Sequence, residues 1–321
     1  MSIKIIKPGI CSTIQDMGRT GYRSLGIGPG GVMDFFSAAV ANYLVGNDEN
    51  QPVIEMHFPA AEILFQTNAL ICIAGANFDA YINDTVVEMH QPCFIQADDV
   101  LSFKKNISGA RAYLAINGGM EAENWLGSFS TNAKIKAGGF KGRLLQKEDI
   151  IKIRLATVEK NNKKITVSPA VINSIYNNLN SIRCIAGPEW NLISASTENI
   201  FLASTFTITN QSDRMGYRLS GESLSLKKST ELISSLVVFG SIQLLPNGQL
   251  IVLMADHQTT GGYPRIATVI AADLPKLAQL PVNAKINFKL ISAEQAEERL
   301  ISLHQTLTEI KTGCQKFYDK H

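Results

Sequence analysis

The chain has 321 residues, of which 45% are hydrophobic and 18% charged, and a formal net charge of +2. That length suits about two domains, or one large one, and either can bury a sizeable core. The near-balanced charge gives no electrostatic case for nucleic acid or an anionic membrane surface, and no apolar run reaches the ~18 residues of a membrane-crossing helix.

In chain order, residues 1–8 read as a first strand ending at Pro8, without the apolar core and small-residue cleavage site of a signal peptide. Residues 35–44 form a helix, with Asp34 as its cap and Gly46-Asn47 as its stop. Apolar or alternating runs at 69–74, 112–116, 150–155, 205–209, 236–239, 250–254 and 285–290 have strand length. Most are flanked by Gly, Asn, Asp or Pro, the pattern of barrels and sandwiches. A polar stretch at 159–164 reads as a hairpin tip or interdomain linker. Residues 273–280 form a short helix with Pro275 in its first turn. A last helix covers 292–311, where Ser292 and Gln295 suit a capping box. Ala296, Leu300, Leu303, Leu307 and Ile310 make its apolar stripe, a packing face or a partner-binding one. The segment 15–23 echoes 211–218, each with Gly-Tyr-Arg, an echo that either arises by chance or marks two similar folding units, one per half.

The five cysteines are odd in number and form no CxxC pair, which argues against a zinc ribbon or thioredoxin-type motif and fits a cytoplasmic address. Cys72 lies in an apolar run and reads as a small core residue. No phosphate-binding P-loop, GxSxG elbow or metal-spaced histidine pair occurs, so no metal is expected on this chain. The glycine runs at 26–31 and 138–143 do not make a dinucleotide fingerprint. No Met-Lys dipeptide offers a biotin attachment point.

Arginine placement is more informative. Arg19, Arg23, Arg143, Arg214, Arg218 and Arg265 lie in glycine-containing segments, whereas lysines fall mostly in polar runs. A planar guanidinium on a loop that lets backbone approach closely suits a small anion. The alternative is that these arginines stiffen loops by pairing with Asp16, Asp34 or Asp213. The run 253–265 takes an apolar strand into a polar loop. There Asp256 stands just past the strand end, Gln258 supplies an amide, and Thr259, Thr260 and Tyr263 supply hydroxyls. His257 reads as a base or, more simply, as a surface residue beside Asp256.

The segments 13–19, 30–34, 41–47, 212–219 and 258–264, with Gly118-Gly119, Gly127-Ser128 and Gly187-Pro188, occur in the order found in the biotin-dependent carboxyltransferase / allophanate hydrolase subunit 2 family, which the chain resembles over roughly residues 3 to 290. The resemblance implies a mainly β fold of two tandem cyclophilin-like β-barrel units, here 1–158 and 165–291, followed by a C-terminal helix and tail at 292–321. It also implies work in a cytoplasmic hetero-oligomer with A- and B-type partner subunits. The implied activity is ATP-dependent hydrolysis of 5-oxo-L-proline to L-glutamate, with Mg as the counter-ion of ATP. Other branches imply carboxyl transfer from carboxybiotin to urea or a related amide, or a regulator that binds a kinase-inhibitor-type partner. Combined with the residue chemistry, Asp256 and Arg214 become the catalytic candidates. Arg19, Arg218, Gln258, Thr259, Thr260, Tyr263 and Arg265 become the substrate-binding ones. The chain departs from the family pattern at turns, with Ala60-Ala61, Ala97-Asp98 and Glu148-Asp149 where glycine-containing pairs are usual.

Overall fold

The computed structural model describes residues 1–154, 164–228 and 232–320. The polar stretch 159–164 therefore lies outside the described residues except for Lys164, as does the last residue of the 150–155 run. The chain is mainly β, with five α-helices among the described residues: α1 (Phe35–Leu44), α2 (Pro169–Tyr176), α3 (Ala195–Ala203), α4 (Leu274–Ala278) and α5 (Ala293–Tyr318). It forms two compact units. One contains Met1–Arg19, Gly30–Ser174 and Gln305–His321, the other Thr20–Pro29 and Ile175–His304.

In the first unit the strands lie in two sheets. One has the order Ile150–Lys152, Ser2–Lys7, Glu62–Phe65, Val100–Phe103, Ala80–Ile82, Thr85–Val86. The other runs Ser12–Gln15, Val53–Met56, Ser108–Ile116, Ala69–Asn77, Pro92–Ile95. Alternation along the strands aims Ile3, Ile5, Ile63, Phe65, Ile71, Ile73, Leu114 and Ile116 into one core. Cys72 and Ala74, pointing the other way, are buried too, because α1 packs against Ala69–Asn77 and Ser108–Ile116. All of α1 beyond Phe35 is buried, as befits a helix apolar on every side.

The sequence-predicted helix at 35–44 has the observed bounds, and Asp34 caps it by accepting from Ser37 N. The Ser292–Gln295 capping box also forms, at 3.2 and 3.3 Å. α5 runs past the expected end at 311 to Tyr318, because the apolar stripe continues through buried Cys314 to Phe317 and Tyr318. Tyr318 OH donates to Leu44 O at 2.6 Å, and its ring lies 3.3 Å from where a Cβ would stand on Gly46. The stripe residues Leu303 and Leu307 are buried, so this face packs within the chain.

The second unit closes into a seven-stranded barrel. Its order is Ser181–Ala186, Arg265–Val269, Ser241–Leu244, Leu250–Leu253, Gly216–Ser220, Phe206–Ile208 and Lys285–Leu290. The ring shuts where Ser181–Ala186 pairs in parallel with Lys285–Leu290. Phe201 of α3 stacks on Phe288 at a centroid distance of 4.9 Å and, with Phe206, fills one side of the interior. The 236–239 run is not a strand: only Ser235–Leu236 pairs, with Thr260–Gly261. The chain then turns, with Ser241 N bonded to Val238 O and Gly240 at φ +90°.

The segments 15–23 and 211–218 share one local feature. Asp16 and Asp213 each turn the backbone by accepting from an amide two residues on, at 2.9 and 2.7 Å. The Gly-Tyr-Arg parts diverge: Gly216–Ser220 is a barrel strand, whereas Tyr22 leads into the short 3-10 turn Arg23–Leu25. At the departed turns, Asp98 and Glu148 adopt φ of +69° and +72°, the left-handed geometry that glycine would take without strain.

Candidate functional site

In the second unit the strand Leu250–Leu253 ends beside the start of Gly216–Ser220. Backbone bonds from Met254 N to Met215 O and from Asp256 N to Arg214 O carry the pairing two residues past the strands. This extension sets Arg214 and Asp256 side by side. Arg214 Nε donates to Asp256 Oδ2 at 2.8 Å and Nη2 to Oδ1 at 3.0 Å, a two-point fork-to-carboxylate pair on half-buried side chains. The two sequence-predicted catalytic residues thus neutralise each other at the root of the polar loop.

The next residue, His257, is not on the surface: it is only 2% exposed. Its Nδ1 lies 2.5 Å from Gln258 O, an atom that only accepts, so Nδ1 carries a proton, and in the neutral ring Nε2 presents a lone pair. Burial and the nearby Arg23 cation lower the ring's proton affinity, against a smaller opposing pull from its own loop's carbonyl and from Asp256. Nε2 is sealed from solvent and has no hydrogen-bond partner among the described residues.

The loop beyond is tied at both ends. Thr259 is buried and its carbonyl accepts from Val237 N at 3.1 Å, while Thr260–Gly261 pairs with Ser235–Leu236. Buried Gln243 donates through Nε2 to Tyr263 O at 3.4 Å. Gln258 and Thr260 are exposed, and Tyr263 is 44% exposed. At the far end Arg265 grips Glu189, with Nε to Oε2 at 2.9 Å and Nη2 to Oε1 at 2.6 Å, and its Nη1 donates to Leu236 O at 2.5 Å. The Arg265 hydrogen bonds hold the Glu189 carboxyl below its usual range. Gly187 has no Cβ, which would run into Arg265 O.

So Arg214, Asp256, Gln258, Thr259, Thr260, Tyr263 and Arg265 share one loop system. Arg218 does not join it: on its strand Tyr217 and Leu219 point into the barrel, and Arg218 points out and is exposed. Arg19 belongs to the first unit. There it is 3% exposed, donates through Nη2 to Ser130 O at 2.6 Å and lies over the Trp125 ring at 4.8 Å. Beside it Asp16 accepts from Ser128 Oγ at 2.6 Å, Ser130 Oγ at 2.5 Å and Phe129 N at 2.6 Å, fixing the 128–131 loop.

The loop-stiffening alternative holds for Arg143, Arg214 and Arg265, but with partners other than Asp16, Asp34 or Asp213. Their partners are Asp149, Asp256 and Glu189. The sequence pattern does not reveal Glu189 or the buried state of His257, and it marks Arg23 only by its place among glycines. Among the described residues no group of three His, Cys, Asp or Glu is placed to hold a metal ion, and no helix is long and apolar enough to cross a membrane.

Comparison with known proteins agrees with this architecture. Residues 25–290 match the family model described as carboxyltransferase domain, subdomain A and B. The chain is 37% identical over 294 residues to the C-type subunit of 5-oxoprolinase from Escherichia coli (strain K12), covering 92% of this chain and 93% of that protein. It is 35% identical over 285 residues to the protein of the same name from Haemophilus influenzae, covering 89% and 90%. The crystal structure of the Kluyveromyces lactis urea carboxylase superposes with a TM-score of 0.89 at 26% identity, covering 98% of this chain and 29% of that one. The chain belongs to the carboxyltransferase domain, subdomain A and B, family.

Proposed function

We propose that the chain is the C-type subunit of an ATP-dependent 5-oxoprolinase, which with A- and B-type partner subunits in the cytoplasm opens 5-oxo-L-proline to L-glutamate. The observation that carries this reading is the 37% identity to the C-type subunit of a 5-oxoprolinase over more than nine-tenths of both chains.

The lactam is a stable amide, so opening it requires its carbonyl oxygen to be activated, which ATP does by making that oxygen a leaving group. The residues of the loop do not fit the triphosphate. Arg214 and Arg265 are each matched by a carboxylate, Asp256 and Glu189, so neither pair leaves net positive charge for the transferring group. In this reading ATP is held by a partner subunit. This chain supplies a rigid loop, anchored by the two arginine pairs, that presents Thr260, Gln258 and Tyr263 to the substrate face.

A second reading has its own observation. The superposition of 98% of this chain on 29% of the urea carboxylase favours carboxyl transfer from a carboxybiotin supplied in trans. One experiment separates the two: co-expression with the A- and B-type subunits, followed by assay of glutamate release from 5-oxoproline. ATP-dependent release without any biotin carrier is the outcome expected. Release that requires a biotinylated carrier, or carboxylation of urea in its place, would favour the second reading.

A further inference from the structure

The segment Thr20–Pro29 groups with the second unit and lies against the polar loop. Gly28 reaches the backbone of His257 so closely that a Cβ there would stand 2.8 Å from His257 O. Gly21 and Gly26 have φ of +91° and +76° with open space around them. Through Gly28 this strap lies against the His257 backbone, and its Arg23 cation is close enough to the imidazole to lower its proton affinity. Arg23 itself makes no ion pair among the described residues. Two groups of complementary chemistry therefore sit together: a cation, and a buried neutral nitrogen whose lone pair has no donor. A buried acceptor without a partner is costly, and its presence points to a ligand that supplies the N–H.

We propose that Arg23 and the Nε2 atom of His257 form the recognition pair for a cyclic amide that carries a carboxylate on the carbon next to its N–H, the first binding the carboxylate and the second accepting from the N–H. The strap Thr20–Pro29 lifts to admit the ligand and closes over it. This assignment rests on the 5-oxoprolinase reading and gives that reading its specificity: urea offers N–H groups but no carboxylate, and so would leave Arg23 unused.

The test compares three ligands on the co-expressed complex containing the full chain. These are 5-oxo-L-proline, pyrrolidin-2-one, which lacks the carboxylate, and N-methyl-5-oxo-L-proline, which lacks the N–H. ATP-dependent ring opening is followed as kcat/KM. Wild type is expected to prefer 5-oxoproline over pyrrolidin-2-one by about 10–100-fold and over the N-methyl compound by about 10-fold. Arg23→Ala should erase only the first preference, with Arg23→Lys restoring part of it. His257→Ala should erase only the second, with His257→Gln, which keeps an acceptor in place of Nε2, restoring part of it. The conservative variants keep the test informative should an alanine variant fail to fold. Normal turnover of 5-oxoproline with both preferences unchanged in the variants would overturn the assignment alone. Failure of the wild-type complex to open 5-oxoproline would overturn the parent reading and the assignment with it.

Discussion

At the scale of single residues, the arginines explain why a nearly neutral chain needs so many forks. Arg214 joins two backbone segments 42 positions apart through Asp256, and Arg265 joins two that are 76 apart through Glu189. Both pairs are two-point and half-buried, so removing one partner leaves the other charge poorly solvated. Arg214→Ala is expected to abolish ATP-coupled turnover of the complex while the barrel stays folded, as seen by unchanged far-UV circular dichroism. Activity within about threefold of wild type would show that the pair does not organise the site. A second residue acts through pH. Burial lowers the His90 pKa from 6.5 to about 4. The unfolded chain then binds the proton first as the solution is acidified. Stability is therefore unaffected above about pH 6.5, falls between 6.5 and 4, and levels off below, a loss of at most about 3 kcal/mol. His90→Asn, which tolerates the φ of +58° at this position, should flatten the stability profile across that window in denaturant titrations. An unaltered profile would assign the acid sensitivity elsewhere.

At the scale of elements, helix ends are legible and sheet edges less so. Asp34, Ser292 and Gln295 act within three residues of themselves, so their roles follow from local spacing. The run 236–239 misleads because Val237 is buried by tertiary packing while the chain turns at Gly240, an arrangement that an apolar run does not distinguish from pairing. The helices Pro169–Tyr176 and Ala195–Ala203 escape a strand-rich reading, although Ser194 caps the second by accepting from Thr197 N. The Asp34 cap is also tied to its surroundings. Its amide donates to Tyr113 OH at 2.9 Å, and that hydroxyl donates to Glu55 Oε2 at 2.9 Å. Asp34→Ala should destabilise the first unit by about 1–2 kcal/mol, and Asp34→Asn by less, read as the midpoint of denaturant unfolding. Equal stability of the two variants would mean that the cap contributes little beyond the buried network.

At the scale of the whole molecule, fold class is readable because short alternating runs and turn residues recur through the chain. The candidate site is readable only in part. The loop at 254–265 announces itself by its polar density after an apolar strand. Its partners do not, since Glu189, Gln243 and Arg23 come from three other segments. Arg19 and Arg218 share the loop arginines' glycine-rich setting, yet one is buried in the first unit and the other faces solvent on a strand. Composition alone cannot separate those cases, because strand parity and long-range closure decide them. The central claim is that this chain is needed for ATP-dependent opening of 5-oxoproline. The most direct measurement is glutamate release from 5-oxoproline and ATP by A- and B-type subunits purified with and without this chain. The account predicts release only when the chain is present; equal release in its absence would contradict it.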